Sequence, residues 1–353
     1  MLWSAIARAA SLLLFSQVAI SAVTFTNPIK NPNGSDPFMV YDGGYYYLTT
    51  TTWTNVQITR ATTIAGLKTA TPKVVYTDSN SARCCNVWAP EIHKIDGKWW
   101  LYYTAGQSAN LDLQRSHVLQ GGSSPWDSYT YKGQLKATNA PDAWSIDGTV
   151  LTVNGANYFV FSSFSPNNLQ SLYIAPMTNA YTLGARSLLS EPLNSWERVD
   201  TPVNEGPVAL YKNGAIYLAF SASFCWTSSY SLGLLKYNGG TVTSASSWTK
   251  SGPVFTSANG HYGPGHNGFF TAPDGAEGPE RQHTGATHKC RDNHNHEDNY
   301  HYYEDNDNDE DHNHYHQRGD PAVRLRVMAN AVAKAGLEEP VYSNDWYSQC
   351  VPS

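Results

Sequence analysis

Apolar and polar positions along the chain fall into one phrase that is used five times. A polar residue opens it, a short apolar run follows, a glycine turn interrupts, and a second, aromatic run returns. The five phrases are "DPFMVYDGGYYYLTTTT" from Asp36, "APEIHKIDGKWWLYYTAG" from Ala89, "DGTVLTVNGANYFVFSS" from Asp147, "EGPVALYKNGAIYLAFSAS" from Glu205 and "NGFFTAPDGAEG" from Asn267. Their starts lie 53, 58, 58 and 62 residues apart. Asp-Gly and Asn-Gly between β-prone runs are the strongest short-range signal for a hairpin, so each phrase predicts two antiparallel strands. A repeat of this length leaves room for two further strands and predicts the blade of a propeller. The expected fold is therefore all-β, a five-bladed β-propeller.

In a propeller the innermost strand of every blade lines the central channel, so residues opening the phrases in one phase converge on one mouth. Asp36, Asp147 and Glu205 are expected to face one another there. Carboxylates sharing a pocket repel, which raises some pKa values and lowers others. Glycoside hydrolysis needs one acid protonated and another ionised at the same pH. Each residue also has a plainer reading: an Asp-Gly turn, a strand start before Pro37, a solvated surface glutamate. The shared phase, flanked by apolar runs that would bury an idle carboxylate at a cost, favours the catalytic reading. Trp53, Trp88 and Trp144 lie near the acids and are candidates either for core packing or for a platform under a sugar ring. His266, in the glycine-flanked "GPGHNGFF", is expected to point into the channel as a ligand or as a structural histidine.

Composition agrees with the pattern. The chain has 353 residues, 41% hydrophobic and 15% charged, with 11 Trp, 23 Tyr and 27 Gly, enough apolar material for a large core. A net charge of −6 argues against nucleic acid or an anionic membrane as partner, although an acidic tail supplies much of it. "MLWSAIARAASLLLFSQVAISA", residues 1–22, has one Arg, an apolar stretch too short to span a bilayer and a terminal small residue; it predicts a secretory signal and an extracellular protein. Of the five cysteines, adjacent Cys84 and Cys85 could join each other, or one of them could pair with Cys225.

The phrases "SDPFMVYDGGYYYLTTTT", "NVWAPEIHKIDGKWWLYYTAG", "WSIDGTVL" and "NEGPVALYKNGAIYLAFSAS" resemble the successive blade motifs of glycoside hydrolase family 43, within it the enzymes that remove terminal L-arabinofuranose. The resemblance runs from about Asn27 to Gly275. It implies cleavage with inversion, Asp36 as the general base, Glu205 as the general acid, and Asp147 as the residue that orients Glu205 and raises its pKa. His266 matches the family's channel histidine, often beside calcium or another ion; no organic cofactor is implied. The implied partners are arabinan, arabinoxylan or related oligosaccharides, bound by a monomer. A β-xylosidase or endo-arabinanase of the same family, and a non-catalytic sugar-binding propeller, are the competing readings.

The pattern fails after Gly275. "PERQHTGATHKC" follows, then 25 residues (292–316) drawn only from Asp, Asn, His, Tyr and Glu, and no strand-like alternation is visible from 276 to 320. All but Glu in that run are spelled by codons with a central A and a final pyrimidine, and one base forward most become threonine codons, the composition of an O-glycosylated linker. The closing "VYSNDWYSQCVPS" resembles the end of a family 1 carbohydrate-binding module, and residues 327–340 read as a helix by composition. The expected organisation is a signal peptide over 1–22, a propeller over 23–280 with an incomplete fifth blade, an out-of-frame low-complexity linker over 281–320, and the remnant of a cellulose-binding module over 321–353, with cellulose binding lost.

Overall fold

The computed structural model describes residues 28–258 and 261–271, together with the backbone of 282–285. The signal sequence, the fifth turn at 274–275, the low-complexity run, the helix expected over 327–340, the module remnant, Cys290 and Cys350 lie outside the described residues.

Strands β1 (Phe38–Asp42), β2 (Tyr45–Thr49), β3 (Val56–Ala61) and β4 (Lys73–Tyr76) form the first antiparallel sheet in chain order. The second holds β5 (Cys85–Ile95), β6 (Lys98–Gln107), β7 (Asn110–Gln120) and β8 (Thr130–Gln134). In the third, β9 (Ile146–Val153) and β10 (Ala156–Phe164) lead to β11 (Gln170–Asn179), which pairs with both β12 (Thr182–Leu183) and β13 (Ser187–Ser190). The fourth is β14 (Asn204–Lys212), β15 (Ala215–Ala222), β16 (Ser231–Tyr237) and β17 (Trp248–Phe255). Inner strands β1, β5, β9 and β14 touch in succession, so the four sheets are blades in a propeller-like ring. Strand β18 (Gly268–Thr271) touches both β14 and β1. It pairs with β19 (Gln282–Gly285), a strand in a stretch whose sequence carries no alternation; backbone pairing to the open edge of β18 forms it without an apolar face.

The four described turns fold as their residues dictate. Gly43-Gly44, Asp96-Gly97, Asn154-Gly155 and Asn213-Gly214 all take positive φ at both positions, the turn whose twist matches that of its strands. Strand β6 shows why the aromatic runs are continuous instead of alternating. Trp99, Leu101, Tyr103 and Ala105 enter a core shared with Phe38, Tyr47 and Ile58 of the first blade, while Trp100 and Tyr102 enter one shared with Phe159, Phe161 and Tyr173 of the third. A third core joins Leu151, Val160 and Ile174 to Leu218, Phe220 and Trp248. Every inner blade is buried on both faces, and each large side chain so buried contributes roughly 1.5–3 kcal/mol.

The adjacent cysteines join: Cys84 and Cys85 form a disulfide, and Cys225 is in none.

Candidate active site

A backbone kink lies at or within one residue of the start of each phrase. Asp36 (φ 52°), Ala89 (φ 44°), Asp147 (φ 56°), Gly206 (φ 51°) and His266 (φ 47°) occupy the left-handed region, before β1, within β5, β9 and β14, and before β18. That conformation costs an ordinary residue roughly 1–2 kcal/mol, and aspartate tolerates it better than most. The kinks correct the expected alignment. Asp36 and Asp147 share a phase, but in the fourth blade the equivalent residue is Gly206, and Glu205 stands one residue earlier. A register shift between Glu205 and Val208 accommodates the offset, as bulges beside functional sites commonly do.

The offset sends the carboxylates to different partners. His266 Nδ1 lies 3.1 Å from Asp36 Oδ1 and 3.8 Å from Asp147 Oδ2. Asp36 Oδ2 also accepts the Thr51 hydroxyl. Thr51 Oγ1 in turn accepts the Ala89 N–H at 2.8 Å, which ties the first blade to the second. Asp147 is buried, and its Oδ2 accepts the Gly206 N–H at 3.1 Å. The His266 backbone N–H is held by Ser221 Oγ at 2.6 Å. Gly206 is required twice over: its φ favours glycine, and a Cβ there would lie 3.1 Å from His266 Cγ.

Glu205 takes its hydrogen bonds from other residues. Its Oε2 accepts Gln170 Nε2 and its Oε1 accepts the Tyr230 hydroxyl, both at 2.8 Å. Burial, and then the charge of Asp147, push its pKa up to about 7, while the hydrogen bond from Tyr230 and the proximity of His266 pull the other way. The site therefore holds a carboxyl poised near neutral pH beside two further carboxyls bridged by a histidine. Behind Glu205, Asn204 Nδ2 donates to buried Glu197, whose Oε1 is also 2.6 Å from Lys250 Nζ.

The three tryptophans separate. Trp53 and Trp88 meet edge to face at 5.7 Å, with Trp53 48% exposed. Trp53 follows Thr51 by two residues, and the backbones of Trp53 and Val87 exchange hydrogen bonds, so the pair stands beside Asp36. Trp144 is elsewhere, 4.8 Å from the Phe164 ring with its Nε1 on the Leu111 carbonyl. Gln170 and Tyr230 were not among the residues the sequence singled out, because neither lies on an inner strand or in a phrase. The sequence clue to Tyr230 is its position immediately before the apolar run of β16.

Among the described residues no group of three or more His, Cys, Asp or Glu side chains is arranged to hold an ion. His266 Nδ1 faces the Asp36 carboxyl, the arrangement in which a carboxylate holds one ring nitrogen of a histidine and the other keeps its lone pair for a ligand. No helix among the described residues is long and apolar enough to cross a membrane.

Inverting hydrolysis of a sugar needs two carboxyl groups held in different protonation states, and a propeller with this arrangement at its mouth is the architecture of one group of glycoside hydrolases. The chain belongs to glycosyl hydrolases family 43, whose family model matches residues 25–314. It is 38% identical over 269 residues to an extracellular exo-α-(1→5)-L-arabinofuranosidase of Streptomyces avermitilis, covering 73% of this chain and 55% of that one. It is 33% identical over 261 residues to a protein of the same name from Streptomyces chartreusis, covering 71% and 79%. Among solved structures, the α-L-arabinofuranosidase of Lactobacillus brevis superposes with a TM-score of 0.66 at 31% identity, covering 71% of this chain and 83% of the other. The chain spans about half the length of several curated relatives it matches, 55% for those from Streptomyces avermitilis and Humicola insolens.

Proposed function

We propose that this protein is a secreted, inverting glycoside hydrolase that releases terminal α-L-arabinofuranose from arabinan or arabinoxylan. The observation that carries the reading is the division of labour among the acids: Glu205 has a pKa of about 7, while Asp36 is fixed by Thr51 and His266. Asp36 is the general base, Glu205 the general acid, and Asp147 the residue that orients the fourth blade through Gly206 and keeps the Glu205 proton in place. Relatives at 33% identity or more carry arabinofuranosidase names, and those named as probable arabinan endo-1,5-α-L-arabinosidases from Aspergillus flavus and Aspergillus oryzae stand at 28%, which supports exo action.

Water attacks C1 of the arabinofuranose and gives a proton to Asp36, the C1–O bond breaks, and the leaving oxygen takes the Glu205 proton. Exchange with solvent resets both groups. An inverting pair leaves room for that water, about 6.5–9.5 Å between carboxyls. Trp53 and Trp88 form a platform beside the base.

Three further readings belong to the same proposal. Contact of β18 with both β14 and β1 supports β18 and β19 as the start of a fifth blade. Relatives named extracellular support secretion. The segment over 321–353 is taken as a module remnant without cellulose affinity, to be checked by cellulose pull-down of the monomeric chain. Glu205→Gln tests the central assignment. Turnover of arabinan should fall by about 10²–10⁴ with little change in binding, as loss of a general acid does; turnover like that of the unaltered protein would contradict it.

A further inference from the structure

The segment that leads into Asp36 carries a short motif that the hydrolytic chemistry does not use. Asn33-Gly34-Ser35 is the one place in the 353 residues where Asn is followed two positions on by Ser or Thr with no Pro between. Such a triplet is the acceptor signal for N-linked glycosylation on the surface of a secreted protein. Asn-Gly is also a plain turn signal, and the turn accounts for two of the three residues. Asn33 sits in the left-handed region at φ 62°, where asparagine is tolerated, and a Cβ on Gly34 would lie 2.5 Å from the Lys30 carbonyl oxygen. The turn does not account for Ser35. Its backbone carbonyl accepts the Thr51 N–H at 3.0 Å, a bond that any residue supplies equally well, and its hydroxyl makes no hydrogen bond among the described residues. A serine at this position is what a glycan-transferring enzyme reads, and nothing in the packing asks for it.

The acceptor itself is presented for modification. Asn33 is exposed, and its side-chain amide makes no hydrogen bond among the described residues, so a sugar on that nitrogen displaces no contact. The segment is nevertheless tied to the site. Thr51 donates its N–H to Ser35 and its hydroxyl to Asp36. Three residues fully extended span about 11 Å, so the Cα of Asn33 lies no further than that from the Cα of Asp36. We infer that Asn33 carries an N-linked glycan, a bulky, hydrated group standing beside the mouth on the side of Asp36. In the transfer, Asn33 Nδ2 bonds to C1 of the first sugar of a lipid-linked oligosaccharide. The bond from that C1 to the lipid pyrophosphate breaks, the pyrophosphate leaves with the electron pair, and the amide gives up one of its two hydrogens as a proton. This rests on the secretion proposed above, since donor and transferase meet the chain only in the secretory pathway, and it adds a modification and its place.

The test expresses the full chain, with its own residues 1–22, in a eukaryotic secretory host, and compares it with its Asn33→Gln, Ser35→Ala and Ser35→Thr variants. The secreted protein should lose mass on treatment with a peptide N-glycanase, and its peptide spanning Asn33 should carry the hexosamine-containing adduct. Asn33→Gln and Ser35→Ala should be secreted at the lower mass and not shift on treatment, whereas Ser35→Thr should keep the shift, because threonine preserves the signal. Secreted protein whose Asn33 peptide is unmodified overturns the inference and leaves secretion standing. So does an adduct that persists in both Asn33→Gln and Ser35→Ala, which places the sugar elsewhere. If the unaltered chain stays inside the cell and bears no glycan, the secretion reading fails and the inference falls with it.

Discussion

The Tyr230 hydroxyl donates to Glu205 Oε1 at 2.8 Å, so the residue that locates the proposed acid also opposes its protonation. Burial and Asp147 raise the Glu205 pKa to about 7, and the phenol stabilises the anion and limits that rise. In Tyr230→Phe the acid should hold its proton to higher pH. The alkaline limb of kcat/KM is expected to move up, even though the rate at the optimum drops through loss of positioning. A pH–rate profile checks it, and a limb that moves down would contradict the role given to Tyr230.

Asp147→Asn should shift the same limb the other way. Removing the negative charge beside Glu205 takes away the second-largest cause of its raised pKa, so the acid ionises earlier and activity fades at lower pH. Because Asp147 also accepts the Gly206 N–H and faces His266, kcat should fall as well. Opposite movements in two variants that touch one carboxyl are hard to produce by general damage to the fold.

The same shift makes a prediction about stability. Glu205 binds its proton more tightly in the folded chain than in the unfolded one, where its value is near 4.5. Its contribution is therefore fully present below about pH 4.5 and is lost as pH rises through about 7. Glu205→Gln lacks that loss. Its melting temperature relative to the unaltered protein should be higher at pH 8 than at pH 4, and thermal unfolding at the two values measures the difference.

Lys250 is the cation of a buried network. Its Nζ meets Glu197 Oε1 and the Glu191 carbonyl, both at 2.6 Å, and Asn204 Oδ1 at 3.2 Å, one residue from Glu205. Lys250→Met leaves the fully buried Glu197 carboxyl without its cation, held only by hydrogen bonds from Asn194 and Asn204, which should cost about 3–5 kcal/mol. Pairing it with Glu197→Gln should recover part of that loss in thermal denaturation, because the uncompensated charge is then gone.

Much of this architecture is legible in the chain because each blade repeats one local rule. The Asp-Gly and Asn-Gly turns fix the hairpins by backbone sterics alone, and the two-sided burial of β6 follows from its unbroken aromatic run. Asp36 and Asp147 could be brought together with His266 because the two acids open phrases and the histidine stands beside the start of the fifth. The one-residue offset of Glu205 could not, since it depends on a bulge set by the facing strand. Gln170 and Tyr230 escaped for a related reason: they reach Glu205 from β11 and from the loop before β16, across distances no repeat records. Strand β19 shows the limit at the other end, where pairing with an exposed edge makes a strand that composition does not announce.

The most direct test is proton NMR of the first turnovers of the full chain on debranched arabinan. Inversion at C1 of an α-linked arabinofuranose predicts that L-arabinose appears first as the β-anomer and equilibrates afterwards. Initial release of the α-anomer would contradict the assignment of Asp36 as base and Glu205 as acid, because it requires a covalent intermediate that an inverting pair does not form.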